Sequence, residues 1–324
     1  MSHTIVYTDY YYDSVQAEFD LLSTLPDVRI VDLTEVKKGG ITAPEELVEH
    51  VADADALVTQ FAVINADVMD AMPNCRIIAR HAIGVDTIDL TAARERGIVV
   101  SNVPDYCIEE VSDTAMAHIL NGVRRIGEAD RLLRAGEWAY SKIMPLSRFS
   151  EMTVGLLAFG AIARRVAEKL RGFRVKVLAY DAYAKPTPEF DWVEFVPLDR
   201  LLAEADVISI HVPLNDETHH MVNEKVFEAM KPGVVLVNTS RGGVIDQAAL
   251  ADAIARGVVR HAGLDVLEEP DAEYAESPVL ASEQVTVSPH LGWYSEQSIE
   301  DLKMKTARNV AEMLTNGKPL YTVH

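Results

Sequence analysis

Apolar positions along this chain fall into short runs separated by stretches where they recur every three or four residues. In the first hundred residues the runs lie at 4–8, 28–33, 56–59, 76–80 and 98–101. Their lengths and β-branched content predict strands, and the amphipathic stretches between them predict helices. A long helical pattern at 107–135 follows, interrupted only by Gly122 and Gly127, then further runs at 153–157, 175–180, 206–210, 234–237 and 260–264, and a last helical stretch at 296–315. Alternation of this kind predicts α/β architecture: two Rossmann-like or flavodoxin-like parallel-sheet domains with a cleft between them. The cuts fall at residues 1–101 plus 293–324 for one domain and 102–292 for the other, the last helix returning to the first domain.

The stretch 153–181 carries the most specific local pattern. An apolar run ends in Ala158-Phe159-Gly160, a helical segment starts at Ala161-Ile162-Ala163, and a second run closes on Asp181. This is the β-turn-α-β order in which a helix N-terminus meets a dinucleotide pyrophosphate and a carboxylate meets the adenosine ribose. The glycine fingerprint is incomplete, with alanine at 158 and 163, and an ordinary βαβ unit has the same spelling. A carboxylate at 181 disfavours a 2′-phosphate, so the expected cofactor is NAD rather than NADP.

Composition narrows the functional classes. At 324 residues there is ample chain for two cores, and although 48% of it is apolar, no run approaches the roughly 18 residues of a membrane span. No secretory pattern is visible at the start, and the two cysteines, Cys75 and Cys107, lack disulfide or metal spacing, so a cytoplasmic, reducing compartment is expected. A net charge of −20 argues against nucleic acid as a partner. An anionic small molecule would need a local cation.

Three ionisable groups follow apolar runs in the second half: Arg241, Glu269 with Glu268 beside it, and His290. Hydride transfer at a hydroxyl or ketone carbon calls for a cation to orient a substrate carboxylate and an acid/base for the hydroxyl proton, tasks that suit arginine and histidine. A carboxylate paired with the histidine raises its pKa and selects its tautomer. Singly, each has an ordinary explanation as a turn charge, an acidic loop or a strand-end histidine. His219 and His220 show neither metal spacing nor partners, and no metal site is expected.

Several motifs occur together in order. Asn238-Thr239-Ser240-Arg241-Gly242-Gly243-Val244-Ile245-Asp246, Leu264-Asp265-Val266 with Glu269-Pro270, and Ser288-Pro289-His290 resemble signatures of the D-isomer-specific 2-hydroxyacid dehydrogenase family. Residues 80–86 resemble its substrate loop, and His211-Val212-Pro213-Leu214 with Thr218 its segment beside the cofactor. Glu109-Glu110-Val111 and Trp293-Tyr294-Ser295-Glu296-Gln297 resemble the branch containing the C-terminal-binding-protein corepressors. The resemblance implies that His290 is the proton donor or acceptor, Glu269 its partner and Arg241 the orienting cation, with the amides of Ile83 and Gly84 holding the substrate carboxylate. It further implies that Gly160, Ala161, Ile162, Pro213, Thr239 and Ser240 line the cofactor, that Asp265 engages the nicotinamide carboxamide, and that Asp181 engages the ribose.

The expected activity is hydride transfer between NAD(H) and a D-2-hydroxy acid or its 2-keto acid. The alternative is an NAD(H)-sensing protein of corepressor type. Departures from the family pattern sit at Ala158, Ala161, Ala163 and Ala82. The acidic loop is one residue short, which leaves Glu268 and Glu269 as rival partners of His290. Thr59-Gln60-Phe61 offers no arginine for a phosphate, whereas Trp293 offers an apolar wall, so a small acid such as glyoxylate or hydroxypyruvate fits better than phosphoglycerate. Homodimerisation through the cofactor domain is implied, with the segment 107–150 and its Trp138 and Tyr140 as the expected contact.

Overall fold

The computed structural model describes residues 3–268 and 277–323. The chain divides into two compact units, Met1–Tyr106 with Ser295–His324, and Cys107–Tyr294.

The first unit holds five strands: β1 (His3–Tyr7), β2 (Val28–Asp32), β3 (Ala56–Thr59), β4 (Ile77–Arg80) and β5 (Val99–Ser101). They form one parallel sheet in the order β2-β1-β3-β4-β5. β3 and β4 are buried along their whole length, as strands covered on both faces must be. One face packs Val6, Leu57 and Ile78 against Leu47, Val68 and Met69. The other packs Ile5, Tyr7 and Val58 against Leu22 and against Val310, Met313 and Leu314 of the terminal helix Glu296–Asn316, which belongs to this unit. That helix opens with a capping box in which Ser295 and Ser298 satisfy each other's amides.

The second unit holds β6 (Thr153–Leu157), β7 (Lys176–Tyr180), β8 (Glu194–Phe195), β9 (Val207–Ile210), β10 (Val234–Asn238), β11 (Val259–Leu264) and β12 (Val285–Val287). These also pair in parallel, in the order β12-β11-β10-β9-β6-β7-β8. β6 lies between β7 and β9, so the chain winds outward in both directions from it. The crevice beyond its C-terminal end is a topological switch point, the place where open α/β sheets bind ligands. Both faces are covered by apolar clusters.

Two expectations need correction. The helical pattern at 107–135 is two helices, Ile108–Arg124 and Ile126–Arg134, and the break is at Arg125 rather than at either glycine. Arg125 adopts a left-handed conformation (φ 54°), Asn121 accepts the Gly127 amide, and the Arg125 guanidinium binds Glu128 and the Ile143 carbonyl. Local side-chain bonds, with the Ile143 carbonyl 18 residues on, thus accompany the stop of a helix that the apolar pattern would continue. The edge strands β8 and β12 were not expected, being short and only partly apolar.

A polar cluster lies inside the first unit. His81, the residue after β4, places Nε2 3.1 Å from Glu18 Oε2, and the Tyr7 hydroxyl donates to the same oxygen at 2.9 Å. The side chains of Glu18 and His81 are both fully buried. The pair fixes the start of the 81–86 loop against the helix Gln16–Leu22. Removing one partner of a buried pair strands the other. We therefore expect Glu18→Ala to destabilise the protein by about 3 kcal/mol in urea titrations, and Glu18→Gln, which keeps an acceptor, to cost less.

Candidate functional site

The turn after β6 is shaped by backbone geometry. Ala158 takes a left-handed conformation (φ 69°), the region a glycine enters without strain, and its amide donates to the Tyr180 carbonyl at 2.8 Å. The methyl group at 158 is therefore accommodated in the tight turn at a conformational cost. Gly160 caps the helix Ala161–Arg171, and a Cβ there would meet nothing within 4 Å. The amides of Ala161, Ile162 and Ala163 have no intrahelical acceptor, so this open helix start is suited to an anion.

Asp181 ends β7 facing that turn. Its Oδ2 accepts the Phe159 amide at 2.7 Å, and Oδ1 accepts the amides of Tyr183 and Ala184, both at 2.7 Å. Burial pushes this carboxyl up, but the three amides and the nearby Arg164 outweigh it and hold the group below its usual range. Of roughly four acceptor positions on a carboxylate, one on Oδ2 remains for a hydroxyl donor. Pro213 is exposed, its carbonyl accepting from Thr218 Oγ1 at 2.6 Å in a compact turn after β9. His211, also after β9, is driven to about 4 by burial and is neutral, with Nε2 2.9 Å from Ser209 Oγ.

The loop after β10 is organised by a residue the sequence presented only as a polar strand end. Asn238, fully buried, accepts the Ser240 amide and hydroxyl on Oδ1 and donates from Nδ2 to the Arg241 carbonyl. The Ser240 hydroxyl is thus committed to the turn. Thr239 Oγ1 is buried and has no hydrogen-bond partner among the described residues, an orphan that a bound polar ligand would satisfy. Gly242 lies against the next loop so closely that a Cβ would fall 1.9 Å from the Leu267 carbonyl oxygen. This contact couples the Arg241 loop to the segment 265–268.

Asp265 and His290 occupy the neighbouring strand ends. Asp265 follows β11 and is buried; His290 follows β12 in a left-handed conformation (φ 50°), its amide donating to the Asp265 carbonyl at 2.9 Å. Desolvation lowers the His290 pKa, Arg241 lowers it further and Asp265 opposes both. Arg241 and Asp265 are thus both close enough to His290 for their charges to act on its imidazole. Trp293 packs edge-on against Tyr294 with ring centroids 5.7 Å apart.

Glu269 lies outside the described residues. Its rival Glu268 is otherwise engaged: Oε1 is 2.5 Å from His220 Nε2 and 3.8 Å from His219 Nε2. The expectation that these histidines lack a partner is therefore corrected, since the fold brings a carboxylate from 48 residues away. The two imidazoles stack with centroids 4.0 Å apart, and together with Glu268 they bring three potential ligand atoms within 4.8 Å of one another, a grouping that could hold a metal ion and that the sequence did not lead one to expect. In the first unit, Ile83 and Gly84 are anchored through their carbonyls, by Asn102 Nδ2 at 2.6 Å and Arg80 Nη1 at 2.7 Å.

Comparison with known proteins places this geometry. The family model described as D-isomer specific 2-hydroxyacid dehydrogenase, NAD binding domain, matches residues 116–292. The chain belongs to the D-isomer specific 2-hydroxyacid dehydrogenase family. It is 40% identical over 273 residues to a glyoxylate reductase of Korarchaeum cryptofilum, covering 83% of this chain and 81% of that protein. It is 40% identical over 250 residues to a hydroxypyruvate reductase of Thermotoga maritima, covering 76% and 81%. A crystal structure of D-lactate dehydrogenase from Aquifex aeolicus, complexed with NAD and lactic acid, superposes with a TM-score of 0.83 at 27% identity over 98% of each chain.

The second unit therefore carries the family's NAD-binding domain, and the open helix start, the Asp181 carboxylate and the orphaned Thr239 hydroxyl all fit that cofactor. The left-handed Ala158 yields a test of the incomplete fingerprint. Relief of that conformation is worth about 1 kcal/mol, partly offset by the greater freedom of glycine in the unfolded chain. Ala158→Gly should raise the melting temperature while leaving NADH affinity, followed by fluorescence titration, unchanged, because the turn already has its required shape.

Proposed function

We propose that this family member is an NAD-dependent reductase of short 2-keto acids, interconverting the keto acid and its D-2-hydroxy form, with glyoxylate and hydroxypyruvate as the first substrates to assay. The observation that carries the reading is the convergence of Arg241 and His290 at one edge of the second sheet, where the guanidinium charge acts on the imidazole. The names of the two enzyme relatives support the substrate class.

In this reading NAD, when bound, supplies or accepts the hydride. The amides of Gly160, Ala161 and Ile162 hold its pyrophosphate, Asp181 its ribose hydroxyls and Asp265 its carboxamide, with Pro213, Thr239 and Ser240 lining the site. Asp181 favours NAD over NADP because a 2′-phosphate would meet its charge. Residues 102–292 form the cofactor domain, and residues 1–101 with 293–324 form the substrate-binding one. Arg241 orients the substrate carboxylate with its planar fork, the amides of Ile83 and Gly84 hold the same carboxylate, and Trp293 supplies an apolar wall. His290 gives a proton to the carbonyl oxygen during reduction and takes it back during oxidation. Glu269 fixes its tautomer and raises its pKa; with Glu268 bound to His220, Glu269 is the acidic-loop carboxylate left for that role.

The reading as an NAD(H) sensor of corepressor type has less support. Glu109, one of the residues behind it, has an ordinary structural occupation, pairing with Arg165 at 2.8 Å and Lys169 at 3.2 Å. We assign the protein to a reducing cytoplasm because its cysteines number only two, Cys75 and Cys107, far apart and without disulfide or metal spacing in the sequence. Among the described residues no helix is long and apolar enough to cross a membrane. We also assign it a homodimeric state through the cofactor domain, where Trp138 is 88% and Tyr140 81% exposed, with Ile126 and Leu133 beside them in the chain.

Loss of nicotinamide absorbance with NADH and a panel of 2-keto acids tests the activity; no turnover on any member defeats it. His290→Ala should lower the rate by about 10²-fold or more, the scale of a lost general acid/base. Reduction needs the imidazolium, so its rate falls as pH rises through the His290 pKa, and Glu269→Gln should move that falling limb to lower pH. Light scattering at two concentrations should give twice the chain mass, and a single-chain mass at both would remove the dimer.

A further inference from the structure

Behind the His290 loop runs a buried polar chain that the proposed chemistry does not use. It begins on the helix Ile108–Arg124, where His118 is 7% exposed. Room for its ring is made by Gly263 in β11, at which a Cβ would sit 2.7 Å from His118 Cβ and 2.8 Å from Nδ1. His118 Nε2 lies 3.0 Å from Ser288 Oγ, and Ser288 Oγ lies 2.5 Å from Asp265 Oδ1. Asp265 also takes the Leu291 amide on Oδ1 at 3.1 Å and the Gly292 amide on Oδ2 at 2.9 Å.

Donor counting sets the direction of this chain. An ionised carboxylate only accepts, so the single Ser288 hydroxyl hydrogen goes to Asp265. Ser288 Oγ must then accept from His118, which therefore carries its proton on Nε2. The run is His118 Nε2–H to Ser288 Oγ–H to Asp265, with the amides of Leu291 and Gly292 closing on the carboxylate from the other side. The residue these bonds bracket is His290, held at φ 50° between a strand end and the two tied amides. A non-glycine residue stays in that region only where its surroundings over-determine it. Gly292 is part of the fit, since a Cβ there would come 2.7 Å from Asp265 Oδ2.

We propose that His118 and Ser288 are positioning residues for proton transfer: they hold Asp265 in the orientation that ties down Leu291 and Gly292, and so hold the His290 imidazole at the sheet edge. This rests on the reading of His290 as the acid/base and is independent of which keto acid is the substrate. The titratable groups that bear on the assembly are Arg241 and Asp265 on His290, and near His118 the Asp265 carboxylate and His261, which burial drives to about 4 and keeps neutral. Asp265 is the described group that raises the His290 pKa, whereas burial and Arg241 lower it. Released from Ser288, the carboxylate is free to turn away from the His290 loop, which would weaken that raising influence.

The test compares Ser288→Ala, His118→Leu and His118→Gln with the parent. It reads kcat and KM for the keto acid, the pH profile, and the titration of the His290 ring protons by NMR, assigned through their loss in His290→Ala. Misplaced reacting groups cost up to about 10²-fold in rate, and we expect Ser288→Ala and His118→Leu to lower kcat by about tenfold or more with little change in KM. Both should shift the His290 titration and the falling limb to lower pH. His118→Gln, which can present an amide N–H to Ser288, should recover most of the rate relative to His118→Leu. Folded variants with parental kcat and parental His290 titration would overturn the proposal, and so would equal behaviour of the two His118 variants. Should Ser288→Ala fail to fold, the His118 pair decides alone. If the parent reduces no keto acid, the functional reading falls while the NMR titration still reports whether His118 and Ser288 position His290.

Discussion

The candidate site depends on a buried carboxylate. Asp265, 3% exposed at the end of β11, takes a hydroxyl and two amides from the segment that follows β12, while its own amide donates to Asn238 at the end of β10. A carboxylate taken out of water requires such donors, and at this site they come from the loop carrying His290. Asn238 organises the Arg241 loop in the same way, and Gly242 lets that loop touch the Leu267 carbonyl. Three consecutive strand ends are thereby held as one body, which is what a constellation of an arginine and a histidine needs if their separation is to be reproducible.

The same economy of donors operates at the cofactor end. Asp181 is held by three amides from the turns on either side of it, so the carboxylate proposed to meet the ribose also sets the shape of the turn leading to Gly160. Against a net charge of −20, a dinucleotide and a carboxylate substrate can be attracted only locally. In the proposed reading the helix start at Ala161 and the Arg241 guanidinium supply that local field.

Much of this was legible in the chain because it is local. Runs of four to six apolar residues bounded by polar ones can be satisfied only in strands covered on both faces, and their alternation with amphipathic stretches leaves a parallel sheet as the economical packing. The Ala158-x-Gly160 turn, Asp181 and the ordered motifs around Arg241, Asp265 and His290 could likewise be read from spacing and residue chemistry. What was misread involved partners far away in sequence. The left-handed Arg125 at the helix break reaches the Ile143 carbonyl 18 residues on, and the edge strands β8 and β12 are made strands by their neighbours rather than by their own composition.

By itself, then, the sequence determined the fold class, the family and the residue types available for chemistry, since hydrophobic periodicity and short motifs encode backbone conformation within a few residues. Tertiary structure decided which of those residues are at liberty. It gave Glu268 to His220, spent the Ser240 hydroxyl on Asn238, left the Thr239 hydroxyl without a partner among the described residues, and drew His118 and Ser288, 170 residues apart, into the support of Asp265. Hydrogen-bond capacity is limited and must be filled wherever burial removes water, and that allocation is made only when the strands lie side by side.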